Sequence, residues 1–149
     1  MNDNQVGFKL LKITTVQFAV IENAFVESEP IKLGAGVNYG IDEKNKVITC
    51  FVRFQFSINE SPFLIIHVKC DFGIEDNAWM SFISTDKKEI KFPIGFVRHL
   101  AVLSVGTARG ILHSKTENTK FNKYFLPTIN VNEFIKEGFS FQIVKHPSA

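Results

Sequence analysis

The chain has 149 residues, which suits one domain with a single core. Its 17 basic and 15 acidic residues leave a net charge of +2, and the lysines are scattered, so charge does not favour a nucleic-acid-binding protein. The sequence lacks an apolar run of the ~20 residues that a membrane span needs, and it begins without a basic and apolar signal. We therefore predict a cytoplasmic protein with no membrane partner.

Phenylalanine is unusually frequent: the chain has 16 phenylalanines but 1 tryptophan and 2 tyrosines. Phenylalanine supplies a large apolar area without a polar group that must be satisfied. A core of this size needs some of these rings. The surplus suggests that others lie on a surface that a partner covers.

Four β-strands are predicted in the first half of the chain, at 8–23, 31–41, 47–58 and 63–74. Polar turns at 42–45 and 59–62 favour an antiparallel meander. Glycines at 34, 36 and 40 weaken the second predicted strand and place it at an edge or a bulge. In the third strand one side is continuously apolar, as the alternation shows: Ile48, Cys50, Val52, Phe54, Phe56 and Ile58. In the fourth strand the corresponding residues are Leu64, Ile66, Val68, Cys70 and Phe72. The opposite side, which includes Phe63, is only half polar.

The two cysteines, Cys50 and Cys70, are too few for a disulfide framework and lack the spacing of metal ligands. Both lie among large apolar residues in predicted strands. We expect reduced thiols in the core.

A long helix is predicted over 93–112, with Pro93 in its first turn. It carries two apolar stripes, whereas a surface helix usually has one. The first stripe is Phe96, Leu100, Leu103, Thr107 and Ile111, and the second is Val97, Ala101, Val105, Ala108 and Leu112. We predict that the first stripe covers the sheet. The second, with Gly106 and Gly110, is predicted to form an oligomer interface, the alternative being burial beneath the C-terminal segment.

The remainder of the chain is predicted to be less regular. A polar loop over 115–123 leads to the aromatic segment 124–126. A short helix follows, with Asn130 as its N-cap, Glu133 at its third position and Gly138 at its end. A strand is predicted over 139–144.

Catalytic motifs are missing from the sequence. It contains no phosphate-binding loop, dinucleotide fingerprint, nucleophile elbow or zinc-protease motif. The four histidines, His67, His99, His113 and His146, are widely spread, and His67 with Lys69 and Asp71 reads as a solvated strand face. We predict neither an enzyme nor a metal or cofactor site.

Three segments of the chain stand out by their order and spacing. They are Phe92-Pro93 at the helix start, Gly106-Thr107 thirteen residues after Pro93, and Leu126-Pro127-Thr128-Ile129-Asn130-Val131 before the last helix. In this order and spacing they resemble the bacterial export chaperone SecB. Two strands, 13–18 and 63–68, also look like their family counterparts. The resemblance covers roughly residues 8–137 of a single domain, 1–149.

The resemblance implies an α+β subunit, with a four-stranded antiparallel sheet covered by one long helix and a short C-terminal helix. It also implies a homo-oligomer, most simply a tetramer, whose apolar grooves bind non-native polypeptides without ATP. By position, the residues that would contact such clients are Phe18, Phe54, Phe56, Phe121, Tyr124, Phe125, Leu126 and Ile129.

The chain departs from the family at the surface that docks the motor protein SecA. SecB uses carboxylates on its sheet there, whereas the positions that correspond carry Thr15, Ala19 and His67. The resemblance therefore does not extend to SecA docking. It is closer to diverged relatives outside the export pathway, including those attached to toxin–antitoxin modules.

A second hypothesis is a carrier of a small hydrophobic ligand in a cavity between sheet and helix. The phenylalanine content is compatible with it. A carrier needs one apolar helix stripe facing its cavity, whereas two stripes favour assembly.

Overall fold

Four antiparallel strands and one long helix dominate the fold, which a computed structural model describes for residues 6–143. The strands of the main sheet are β1 (Phe8–Val20), β2 (Lys32–Asp42), β3 (Val47–Ile58) and β4 (Ser61–Ile74). The helices are α1 (Asp76–Phe82), α2 (Ile94–Thr116) and α3 (Val131–Phe134), and a second, two-stranded sheet pairs β5 (Glu89–Phe92) with β6 (Phe139–Gln142). The predicted α+β class, with a four-stranded antiparallel sheet under one long helix, is confirmed.

The strand order of the main sheet is β1-β4-β3-β2, so the predicted meander is wrong. Only β2, β3 and β4 follow one another through short turns. The longer connection 21–31 includes a 3-10 turn, Glu22–Ala24, and it carries the chain from one edge of the sheet to the other. As a result β1 pairs with β4 and lies at an open edge, while β2 forms the other edge.

A tight turn and a bulge shape the β3–β4 hairpin. Asn59 and Glu60 have φ values of 50° and 66°, as a type I′ turn requires. Next to this turn Ser57 pairs with Pro62 but Phe56 pairs with Leu64, so Phe63 is an extra residue. The centre of the Phe63 ring lies 6.3 Å from that of Phe56, on the core side of the sheet. The prediction that Phe63 lies on the opposite side of β4 is therefore wrong.

The predicted core face of β3 and β4 is confirmed, because all eleven of its residues are buried. α2 packs over these two central strands. The first turn of α2 is also hydrogen-bonded to β2, because the Tyr39 hydroxyl donates to the Val97 carbonyl. Cys50 and Cys70 lie opposite each other on β3 and β4, beneath this helix. Both are buried, and they are not joined by a disulfide.

The helical segments differ from the predictions in two ways: α1 lies in a segment that was predicted only as a connection, and α2 and α3 differ at their ends. α2 begins after Pro93 and continues to Thr116, four residues beyond its predicted end. The Asn130 side chain caps α3 by accepting from the Asn132 amide at 3.0 Å, as predicted. α3 ends before Ile135 rather than at Gly138, which lies instead against the Phe92 backbone where β6 begins. The last predicted strand residue, Val144, and His146 lie outside the described residues.

Candidate functional site

One face of the edge strand β1 is largely apolar, with the exposed Thr15 as its one polar residue. Residues that pair directly in an antiparallel sheet lie on the same side, and β1 residues on the helix side pair with the buried residues of β4. We call five of them the β1 apolar face: Phe8, Leu10, Ile13, Phe18 and Val20.

The β1 apolar face is exposed because α2 lies over β3 and β4 rather than over the edge. Leu10 is 47% exposed, Ile13 46% and Val20 36%. Exposed leucine or isoleucine side chains are common singly, but a row of them along an unpaired strand edge is unusual in soluble domains. This surface is therefore available to another polypeptide chain.

The wall of this surface is one side of α2. The Phe8 ring lies 5.7 Å from the His99 ring near one end of the helix, and Lys115 Nζ lies 5.6 Å above the Phe18 ring near the other. Side chains four residues apart on a helix lie on one side, so Leu103, 40% exposed, faces the same groove. We call the surface between the β1 apolar face and this side of α2 the β1–α2 groove, with β1 as its floor and α2 as its wall.

The predicted oligomer interface on α2 does not lie where we expected. Five of its residues are buried within the chain, at 4% exposure or less: Val97, Ala101, Val105, Ala108 and Leu112. The other stripe is the less buried one, since Leu103 is exposed and Thr107 and Ile111 are half-buried. The second stripe is buried throughout, whereas only Phe96 and Leu100 of the first stripe are buried, because α2 is rotated to pack the second stripe against the sheet. Gly106 and Gly110 are exposed on the helix surface.

Half of the eight predicted client-contacting residues are part of the core. Phe54, Phe56, Phe121 and Leu126 are 5% exposed or less, whereas Phe18, Tyr124 and Ile129 are half-buried and Phe125 is 57% exposed. Only the last four offer surface to a client, and of these only Phe18 belongs to the β1 apolar face.

The loop aromatics are buried because the bulge and the β1–β2 connection supply rings for them to pack on. Phe121 lies 5.2 Å from Phe25 and 6.1 Å from Phe63, and Tyr124 lies 5.3 Å from Phe63. Arg109 fastens the following segment to α2 by donating to the Leu126 and Pro127 carbonyls, both at 2.9 Å. The loop is thus a packed part of the domain.

Leu10, Ile13 and Val20 are the surface residues that the sequence reasoning missed. Their spacing in a strand was visible, but an apolar strand face is ordinarily a core face. Only the strand order reveals that this one lies beyond the helix.

The opposite face of the sheet is polar and basic. Register places Gly36, Arg53, His67 and Gln17 in one row across the four strands, and Asn38, Phe51, Lys69 and Thr14 in the next. In the following row the Thr49 hydroxyl donates to Asp71 at 2.5 Å. His67, Lys69 and Asp71 line this face, as predicted.

The pKa of His67 is below its ordinary value of 6.5, because its ring is partly buried and the charge of Arg53 is nearby. The imidazole is therefore neutral at pH 7, and its contribution to stability is lost as pH falls from about 6.5 through the folded-state pKa. Replacing Arg53 by glutamine should raise this pKa, while burial keeps it below 6.5. An NMR titration of the His67 ring protons in both proteins measures the change. An unaltered pKa in Arg53→Gln would contradict the assigned cause.

Neither thiol is suited to nucleophilic chemistry. Burial raises the pKa of Cys50 to about 11 and also raises that of Cys70. Within residues 6–143, no three His, Cys, Asp or Glu side chains lie close enough together to hold a metal ion. No helix in that range has the length and apolarity to cross a bilayer.

No protein-family model, curated protein or solved structure matches the chain.

Proposed function

We propose that the protein is an ATP-independent chaperone that holds non-native polypeptides in the groove between β1 and α2. The observation that carries this proposal is the β1 apolar face, which is exposed along a strand whose outer edge has no partner in residues 6–143. Sequence resemblance to SecB-like chaperones supports the same function.

The groove offers two kinds of contact to an unfolded chain. The free N–H and C=O groups of β1 can pair with an extended client segment as an added strand. Client side chains on the groove side would then cover Leu10, Ile13 and Leu103, at about 25 cal/mol per Å² of apolar area buried. Both contacts are insensitive to client sequence, so selectivity follows from how long a client stays unfolded.

The margins of the groove suit transient binding. Lys115 lies over the ring of Phe18, so cationic side chains border the apolar surface and limit its width. Lys9 and Lys12 project from the other face of β1. Charged residues of this kind protect an edge strand against uncontrolled self-association.

The proposal includes assembly into a homo-oligomer, a tetramer by resemblance, in the cytoplasm and without SecA as a partner. Gly106 and Gly110 lie exposed one turn apart on α2, with open space where side chains would be. With Val102, 51% exposed, they form a helix surface that a second copy could approach closely.

The chaperone proposal is tested by adding the full chain to chemically denatured citrate synthase and following light scattering. Near-stoichiometric amounts should suppress aggregation without nucleotide, and bovine serum albumin at equal mass controls for crowding. Unchanged aggregation at a fourfold excess of chain would refute the proposal.

Assembly through α2 predicts a specific change in mass. Replacing Gly106 and Gly110 by leucine should convert the oligomer to smaller species, because bulky side chains block the close approach of a second helix. Size-exclusion chromatography with light scattering measures the mass, and Gly95→Leu, also exposed and unobstructed in α2, is the matched control. A wild-type monomer, or an oligomer that both variants retain, would contradict assembly through this surface.

The carrier hypothesis receives less support from the packing. Val52, Leu100 and Ala101 are 0% exposed between sheet and helix, and Tyr39 reaches across to the α2 backbone. These contacts occupy the space that an enclosed ligand would need.

A further inference from the structure

A shallow channel runs over the basic face of the sheet, on the side away from α2. Two adjoining cavities of about 390 and 280 Å³ share Gly36 and Arg53 in their walls. The first is also lined by Asn38, Phe51 and His67. The channel follows β2 from Gly34 to Asn38, about 13 Å at ~3.3 Å per strand residue.

The channel exists because the edge strand beside it carries glycines. Gly34 and Gly36 lie on this face, opposite Gln55 and Arg53. A side chain at Gly36 would meet nothing within 4 Å, so the space above the strand is open. Replacement by almost any other residue would fill it.

The electrostatics of the channel favour an anion. The Arg53 side chain is exposed and makes no hydrogen bond or ion pair within residues 6–143, which leaves all its donors available. Lys69 lies in the adjacent row. The carboxylate nearest in register, Asp71, is held by Thr49.

The surface beside these cations is apolar. The half-buried Phe51 ring lies 6.2 Å from the His67 ring, inclined to it by 47°, and both rings line the channel. Small-molecule sites usually enclose most of their ligand, whereas this channel is elongated and open. Its shape suits an extended chain that lays a carboxylate on Arg53 and an apolar group on Phe51.

We propose that this channel docks an acidic, extended segment of a partner protein, with Arg53 as its principal contact. The segment carries at least one glutamate or aspartate for Arg53 and spans about four residues along β2. The site lies on the opposite side of the sheet from the β1–α2 groove, so a client and this partner can bind together.

The test uses a fluorescein-labelled ten-residue peptide that repeats Glu-Ser-Val-Ser, which places glutamate and valine on one side of an extended chain, and binding is followed by fluorescence anisotropy at low salt. The wild-type chain should bind it, and a peptide with glutamine in place of glutamate should not bind. Arg53→Gln should weaken binding about tenfold, because a charge-assisted hydrogen bond is lost. Lys87→Gln, which removes the same charge from an exposed turn elsewhere, should leave binding unchanged.

A second variant tests the channel without altering charge. Gly36→Val suits a strand, and its Cβ would meet nothing within 4 Å. Its methyl groups take up space in the channel, so it should also weaken binding at least tenfold while the thermal midpoint stays the same or rises. Wild-type affinity in both variants, or no binding by wild type, would overturn the proposal.

Competition identifies the class of partner. Displacement of the peptide by millimolar glutamate or inorganic phosphate would reassign the channel as a small-anion site. Tighter, Arg53-dependent binding of a ten-nucleotide thymidylate would reassign it to nucleic acid. Either result would overturn the acidic-peptide assignment. Arg53→Gln should retain suppression of citrate synthase aggregation, so this proposal and the chaperone proposal can fail separately.

Discussion

Replacing Leu10 and Ile13 together by glutamate should reduce the suppression of citrate synthase aggregation at least tenfold. Both side chains are nearly half exposed at the floor of the β1–α2 groove. Full burial of an aliphatic side chain contributes about 1.5–3 kcal/mol, so covering the exposed half of each one contributes about 0.7–1.5 kcal/mol. Removing two such contacts reaches or exceeds the 1.4 kcal/mol that corresponds to a tenfold change in affinity. The concentration of chain that halves light scattering measures the effect.

Leu11 provides the matched control for this experiment. It is 50% exposed and adjacent in sequence, but it lies at a bulge against Gly73 on the other face of the sheet. Leu11→Glu should therefore leave suppression close to wild type, whereas Leu10→Glu alone should weaken it. Equal effects of the two single variants would show that general surface hydrophobicity, not the groove, accounts for any activity.

Replacing Phe63 by alanine should lower the free energy of unfolding by about 3–5 kcal/mol, as expected for removal of a fully buried phenylalanine. Its ring is 0% exposed and lies 5.1 Å from Phe25 and 5.3 Å from Tyr124. The cavity would also loosen the segment that carries Phe121. Urea unfolding measures the free energy, and limited proteolysis should then cleave this segment faster.

Phe125 is the control for the loss of Phe63. It is 57% exposed and stacks only on His113 among the aromatic rings of the described residues, at 6.1 Å. Phe125→Ala should change stability by about 0.5 kcal/mol or less, the usual range for surface substitutions. A comparable loss in both variants would contradict the anchoring role assigned to the bulge.

Local patterns were sufficient to predict the central part of this fold. The alternation of Ile48 to Ile58 along β3 identifies its core face, because side chains in a strand alternate between two sides whatever the strand packs against. The Asn130 cap was equally predictable, since it depends on the backbone of the next few residues alone. The chaperone function that the resemblance to SecB implies is a proposal, which the β1–α2 groove supports.

The predicted client-contacting residues show where sequence reasoning ends. Phe121 and Phe125 lie in the same aromatic-rich segment, yet one is 2% exposed and the other 57%. Their difference depends on Phe25 and Phe63, which are distant in the chain. No local pattern contains that information.

The sequence by itself determined which residues form the four strands of the main sheet and the long helix, and which side of each central strand is apolar, because these depend on short-range geometry. The tertiary structure decided the strand order, the rotation of α2 and the direction of Phe63. Each of these depends on how separate elements share one core. The β1 apolar face is exposed because the strand order places β1 at an edge that α2 does not cover, and the same order places the glycines of β2 beside Arg53 on the opposite face.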